Sequence, residues 1–452
     1  MRVILKNFRV VDEETDTQGS VILDGGIITG VAPHAAGKED AAVIIDGSRL
    51  SAGSLPILMP AFVDLHAHLR DPGFPEKEVL ESASLSAVAG GFGAVVCMAN
   101  TRPVLDTGEK AQRLKKRSDA LRLIDLYPVM SLTKGMEGRE LSELNALLPR
   151  REGSGNGLYI PPMLSEDGKD VADDGLFLAA MKEARRIGIP VSCHCDFGGD
   201  EAEAAKKAGK PRSVWSRIEE NNAVRRVIAL GREAGCHIHI AHVSTKEAVE
   251  MIRQAKAAAL TAAGTEPQGG FSGGGFTLTC EAMPHNLCLT EEDARRLGDE
   301  SWGRVNPPLR SEEDREAIVK ALADGTIDVI ATDHAPHSRS DKEQGAPGFS
   351  GFETAFAAVF TELVRNRVID LKRLSSLMSA RPARFLDFGA SPKRGRLLSG
   401  YRADLVIVDA NHPWIVNPEI FRSRGGNSPF AGRELFGKIL MTIHSGRVVF
   451  EY

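Results

Sequence analysis

No stretch of this 452-residue chain approaches the run of about 18 apolar residues that a membrane-spanning helix needs. Nothing near its start has the basic, apolar and small-residue order of a secretory signal. From these absences we expect a cytoplasmic protein with no membrane partner. A basic surplus is missing too. Lys and Arg number 56 against 61 Asp and Glu, a formal net charge of -5, which argues against a nucleic-acid-binding surface as the main business. The six cysteines, Cys97, Cys193, Cys195, Cys236, Cys280 and Cys288, include no Cys-x-x-Cys pair. A chain this long needs no disulfide staples, so they read as reduced, buried thiols. No strand-like run leads into Gly-x-Gly-x-x-Gly, and the one glycine-rich stretch, GTEPQGGFSGGGF (264–276), is not followed by Gly-Lys-Ser/Thr. Dinucleotide and phosphate-loop chemistry therefore lack a cradle, and the stretch reads as a flexible insertion on the face opposite an active site.

What is present has an ordinary globular composition, 42% hydrophobic and 26% charged. Both ends are β-rich. RVILKNFRVVD and GSVILDGGIITGVAP lie near the start, with Asp24-Gly25-Gly26 as a hairpin signal, and ADLVIVDANHPW and GKILMTIHSGRVVFEY lie near the end. Between them, apolar strand-like runs at about 60–66, 92–99, 121–130, 157–164, 189–195, 236–242, 277–283 and 327–332 alternate with helical patterns such as DDGLFLAAMKEARRIG and SEEDREAIVKALADG. Eight strands each followed by a helix is the pattern of an α/β protein with a (β/α)8 TIM barrel. The expected division is 1–57 and 389–452 for a small β-sandwich-like domain built from both termini, and 58–388 for the barrel.

Barrel active sites gather where strands end. The predicted strand ends carry His66 and His68, Asn100, Asp167, His194, His242 and Asp333, whereas strand three ends in MSLTKG with nothing comparable. A lone histidine at a strand end is ordinarily structural. Four on one rim beside two aspartates are hard to explain that way, and imidazole with carboxylate suits zinc or a similar divalent ion. Six ligands exceed the four that one zinc takes, so two metals about 4 Å apart and sharing a carboxylate would accommodate them. Such a site activates water for attack on a carbonyl, with Asp333 as the candidate proton carrier. Arg70 is a natural clamp for a substrate carboxylate, and Asn100 offers donor and acceptor to an amide-like substrate. His237 and His239 alternate against His242, so they are expected to face the helices. His34, His412 and His444 read as structural, and His285 follows strand seven within reach of the mouth. The turn-rich segment after strand eight, HAPHSRSDKEQGAPGFSGFETAF, is expected to lie over the mouth as a lid that brings His337 to the substrate.

VDLHAHLRDPG, MANTRPVLD, Asp167-Gly168, His194-Cys195, AHVST, VNPPLR, ATDHAPH, GYRADLVIVD and NSPFAGRELFGKI together resemble the dihydroorotase family of the metal-dependent amidohydrolases, over nearly the whole chain. The resemblance implies that His66, His68, Asp167, His194, His242 and Asp333 hold one or two zinc ions, and that Arg70, Asn100, Asn306 and His337 contact substrate. It implies reversible closure of N-carbamoyl-L-aspartate to dihydroorotate in pyrimidine synthesis, and a homo-oligomer associated with aspartate carbamoyltransferase. Where much of the superfamily places a carboxylated lysine, this chain has Asp167, as in one dihydroorotase branch. SEDG adds Glu166 as a candidate ligand. Asp196 and Asn286 stand where glutamate and a second histidine are common. The alternatives are another cyclic-amide hydrolase, for hydantoins or allantoin, and a non-catalytic subunit that scaffolds the carbamoyltransferase.

Overall fold

The computed structural model describes residues 2–32, 43–51, 54–147, 159–263, 275–386 and 392–452. His34 and residues 264–274 of the glycine-rich stretch lie outside them.

Eight parallel strands run through the middle of the chain: Phe62–Ala67, Phe92–Cys97, Asp125–Pro128, Leu164–Ser165, Val191–Cys193, His237–Ile240, Thr277–Ala282 and Val329–Ile330. The first three pair in order, and so do the last five. Two parallel bridges, Met130 with Leu164 and Ala67 with His334, close the ring. Backbone hydrogen bonds mark both seams, from Ser165 N to Met130 O (3.1 Å), from Asp333 N to His66 O (2.9 Å) and from His68 N to His334 O (2.7 Å). The expected (β/α)8 barrel is thus the fold.

Local chemistry sets the helices between strands. Asp173 caps Asp174–Ile187 by accepting from Leu176 N at 2.6 Å, and Gly188 ends that helix with φ 75°. Ser311 caps Glu312–Asp324 in the same way, and Gly325 closes it at φ 92°. Several strands are shorter than the apolar runs that predicted them. The chain leaves the sheet at non-glycine residues with positive φ, among them Cys195 (59°), His242 (33°) and Asp333 (47°), a conformation no strand can hold.

The two ends build one eight-stranded sheet. Val3–Val11, Asp16–Asp24, Ile27–Ala32, Val43–Asp46 and Ile57–Pro60 come from the N-terminal side; Leu405–Asp409, Lys438–His444 and Arg447–Glu451 come from the C-terminal side. Gly25 and Gly26, both at positive φ, make the predicted hairpin turn. The halves meet where Ile57–Pro60 pairs antiparallel with Leu405–Asp409. Alternation then divides the side chains. Ile57, Met59, Val406 and Val408 join the barrel's core, while Leu58, Leu405 and Ile407 pack with Val3, Leu5 and Phe8 in a second, smaller core. The sheet is thereby fastened to the barrel along one face. All six cysteines are buried and free. Among the described residues no helix is long and apolar enough to cross a membrane.

Candidate metal centre

The barrel brings the six predicted ligands from five strand ends to one place. His66 and His68 alternate along an extended strand and so share a face. His66 Nε2 lies 3.2 Å from Asp167 Oδ1, and His68 Nε2 lies 3.4 Å from Asp167 Oδ2 and 3.0 Å from Asp333 Oδ1. The rings of His194 and His242 meet edge to face at 4.6 Å, with His194 Nε2 3.9 Å from Asp167 Oδ1. Two triads able to hold a metal result, His66–His68–Asp167 and Asp167–His194–His242, with Asp167 common to both. All are buried. His66 Nε2, Asp167 Oδ1 and His242 Nε2 are buried with no hydrogen-bond partner among the described residues. Unpartnered lone pairs converging in a dry interior are costly on their own and fit a cation between them.

The surroundings select the liganding nitrogen. Two imidazoles are hydrogen-bonded through Nδ1, by Glu281 Oε1 on His66 (2.6 Å) and Asn100 Oδ1 on His68 (3.0 Å), and His194 Nδ1 lies 3.1 Å from Asp196 Oδ1 without a hydrogen bond. A proton kept on Nδ1 leaves Nε2 of His66 free for metal, whereas His68 Nε2 meets Asp333 Oδ1 at 3.0 Å. Burial opposes ionisation of Asp167, but His66, His194 and His68 outweigh it and hold its carboxyl well below the usual range. Burial likewise opposes the charge on Asp333, and the His68 hydrogen bond and His66 overcome it. His242 is pushed down to about 4 by burial and by its neighbours His194 and His66, which outweigh the opposing pull of Asp333 and Asp167. His66 and His194 behave oppositely: against the penalty of burial, Asp167 and Glu281 favour the proton on His66, and Asp196 and Asp167 raise His194 to about 10, so a cation bound there displaces protons.

Two predictions from strand parity need revision. His237 and His239 were expected to face the helices, yet they point into the barrel. It is Ile238 that packs beside Gly231 of the outer helix Arg212–Ala234. The alternation is correct within the strand, but at His242 the backbone turns to φ 33° and the His242 ring itself joins the cluster. The inward pair exposes a residue that sequence reasoning missed, Glu281. Its carboxylate takes His66 Nδ1 on one oxygen and His239 Nε2 (3.1 Å) on the other. Burial alone would protonate it, but His66 and His239 bring it down to about 2. The signal was available as a charged residue inside an apolar strand, TLTCEA. Glu281→Gln, which keeps the shape and removes the charge, is expected to weaken metal binding by about 10- to 100-fold. Competition against a chromophoric chelator measures it, and an unchanged affinity would refute the assignment.

Glu166, the extra candidate ligand, is occupied elsewhere. Its carboxylate accepts from Leu132 N (3.0 Å), Thr133 N (3.1 Å) and the Thr133 hydroxyl, pinning the segment that follows strand three. His285 is buried edge-on to Phe349. His444, at the end of the terminal strand Lys438–His444, lies between Asp404 and Asp125, the latter on the barrel's third strand.

The other predicted residues rim the cluster. Arg70, at φ 57°, sends Nε to Pro336 O (3.2 Å), with Nη2 3.1 Å from His337 Nε2. His337 Nε2 also lies 2.9 Å from Pro347 O. Only one of those contacts is a hydrogen bond at a time, because a neutral ring nitrogen either donates or accepts. Asn306 receives Arg212 Nη2 at 3.3 Å and donates to Asp196 Oδ2 at 3.4 Å. Asn100 spends its oxygen on His68 and one amide proton on Asp167. The segment after strand eight folds over the barrel and is tied down by Asn427 of the C-terminal region, which donates to Ala335 O and Gly348 O.

The amidohydrolase family model matches residues 57–449. The chain belongs to the amidohydrolase family. This amidohydrolase is 36% identical to a dihydroorotase of Clostridium botulinum over 451 residues, covering 100% of both chains. It is 35% identical to a dihydroorotase of Clostridium acetobutylicum over 460 residues, covering 99% of both. Among solved structures, the L-hydantoinase (dihydropyrimidinase) from Arthrobacter aurescens matches with a TM-score of 0.81 at 26% identity, over 99% of this chain and 96% of that one.

Proposed function

We propose that this amidohydrolase is a zinc-dependent dihydroorotase, interconverting N-carbamoyl-L-aspartate and dihydroorotate with loss or gain of water. Full-length identity to dihydroorotases supports the activity. The observation that carries the substrate is the Arg70 guanidinium, set against the mouth loop and within the field of Asp333 and Asp167. His66, His68, Asp167, His194, His242 and Asp333 hold the zinc, one ion or two, in this reading. Bound zinc supplies Lewis acidity and an activated water.

The chain's own residues do the rest. Arg70 pairs with the substrate carboxylate, aided by Asn306, His337 and Asn100. Asp333 is ionised at neutral pH and sits beside the ligand cluster. In the hydrolytic direction it takes the proton of the attacking water and returns it to the departing ring nitrogen. In the closing direction the same carboxylate takes the amide proton and gives it to the leaving oxygen. A cytoplasmic homo-oligomer and an association with aspartate carbamoyltransferase belong to the same proposal.

Turnover of dihydroorotate, hydantoin and allantoin, with metal measured on the same sample, tests it. Preference for hydantoin or allantoin overturns the substrate. Losing one partner of a buried charge pair costs about 2–5 kcal/mol. Arg70→Ala should therefore lower kcat/KM for dihydroorotate by at least about thirtyfold, while metal content stays at the wild-type level.

A further inference from the structure

Lys342 lies in the segment after strand eight, on the short helix Arg339–Glu343, and it is fully buried. Its ammonium has no ion pair with a carboxylate among the described residues. Its three protons go instead to three backbone carbonyls, Arg304 O (2.9 Å), Ala346 O (2.9 Å) and Gly348 O (3.0 Å). Three donors meet three acceptors, so the group is saturated. The ring of Phe349 lies 5.4 Å from the same nitrogen. Burial, with Arg304 and Arg212 nearby, pushes this amine down to about 8, the mark of a charge kept in a dry place by dipoles alone.

The three carbonyls belong to two different parts of the mouth. Ala346 and Gly348 flank Pro347, whose carbonyl holds the His337 ring at 2.9 Å. Arg304 lies two residues before Asn306 and also accepts from Gly348 N at 3.0 Å. Arg70 in turn rests on Pro336 O of the same loop. One ammonium thus joins the loop carrying His337 to the segment carrying Asn306.

We propose that Lys342 is a positioning residue for substrate binding: by clamping these two segments through their carbonyls it presents Arg70, His337 and Asn306 as one preformed wall for an anionic substrate. The inference rests on the reading that those three residues contact substrate. The loop expected to act as a lid is held from within as well as by Asn427. Misplacing a binding group by about 1 Å costs on the order of a hundredfold, and the loss should fall on KM because Lys342 touches none of the metal-centre residues.

The test uses two variants of the full-length enzyme. Lys342→Met fills the space without protons, and Lys342→Ala leaves the carbonyl cage empty. Both are expected to raise KM for dihydroorotate at least about tenfold, with metal content at the wild-type level and kcat within about threefold. Added methylammonium should lower KM of Lys342→Ala and leave Lys342→Met unmoved, a rescue that a purely structural role would not show. Amide hydrogen exchange at Ala335 and Gly348 should speed up in both variants. KM within twofold of wild type in a folded variant, or exchange at those amides unchanged, overturns the proposal. If wild type fails to turn over dihydroorotate, the substrate reading falls alone, and the exchange rates at Ala335 and Gly348 still decide the role of Lys342.

Discussion

Asp333→Asn is expected to remove most turnover while the barrel stays folded. The carboxylate sits at a strand end with Oδ1 3.0 Å from His68 Nε2, and its backbone N–H already donates to His66 O across the closing seam. Asparagine preserves that backbone bond, the side-chain size and an oxygen for His68. What it loses is the capacity to accept a proton. General base catalysis contributes about 10²–10⁴-fold, so kcat should fall by that factor with far-UV circular dichroism unchanged. Because Asp333 is also a candidate ligand, metal content must be measured on the same sample. Turnover within tenfold of wild type would remove Asp333 from the proton path. Loss of activity together with all metal would assign it to the ligand set instead.

The second large effect is at Asp167. Both triads contain this one carboxylate, so a single substitution acts on two sites at once. His66, whose protonated form is favoured by Asp167 and Glu281 against the penalty of burial, would lose one of its two counter-charges. Asp167→Ala should weaken metal binding by more than about a hundredfold, the upper range for loss of an outer-shell partner alone. Stability supplies an independent readout. A metal that binds only the folded chain at a hundred times its Kd adds about 2.7 kcal/mol. Chelator treatment should lower the Tm of wild type and leave that of Asp167→Ala unmoved. Wild-type metal stoichiometry in the variant would show that the two triads do not depend on the shared carboxylate.

Much of this was legible because two simple periods carry it. Helix-length apolar patterns between β-branched runs imply a barrel, and a barrel puts chemistry at strand ends. His66, His68, Asp167, His194, His242 and Asp333 follow from listing the polar residues there. What failed was parity carried past a strand end. His237 and His239 obey the alternation of their own strand; His242 breaks it with a positive φ. Glu166 looked like a ligand because it adjoins Asp167, but neighbours in sequence on an extended chain point opposite ways, and its carboxylate went to Thr133. Glu281 and Lys342 were missed because their partners lie far away in sequence: His66 is 215 residues from Glu281, and Arg304 is 38 from Lys342.

The sequence by itself determined the strand–helix alternation, the terminal sheet drawn from both ends, and which residues stand at each strand end, because each depends on local periodicity and turn chemistry. Only the tertiary structure decided that Asp167 is shared by two triads, that Nε2 of His66 and of His242 is left unpartnered, and that one lysine ammonium ties two mouth segments together. Those are distances between atoms remote along the chain, set by the closure of the barrel and the burial of charge inside it, and no local pattern encodes them.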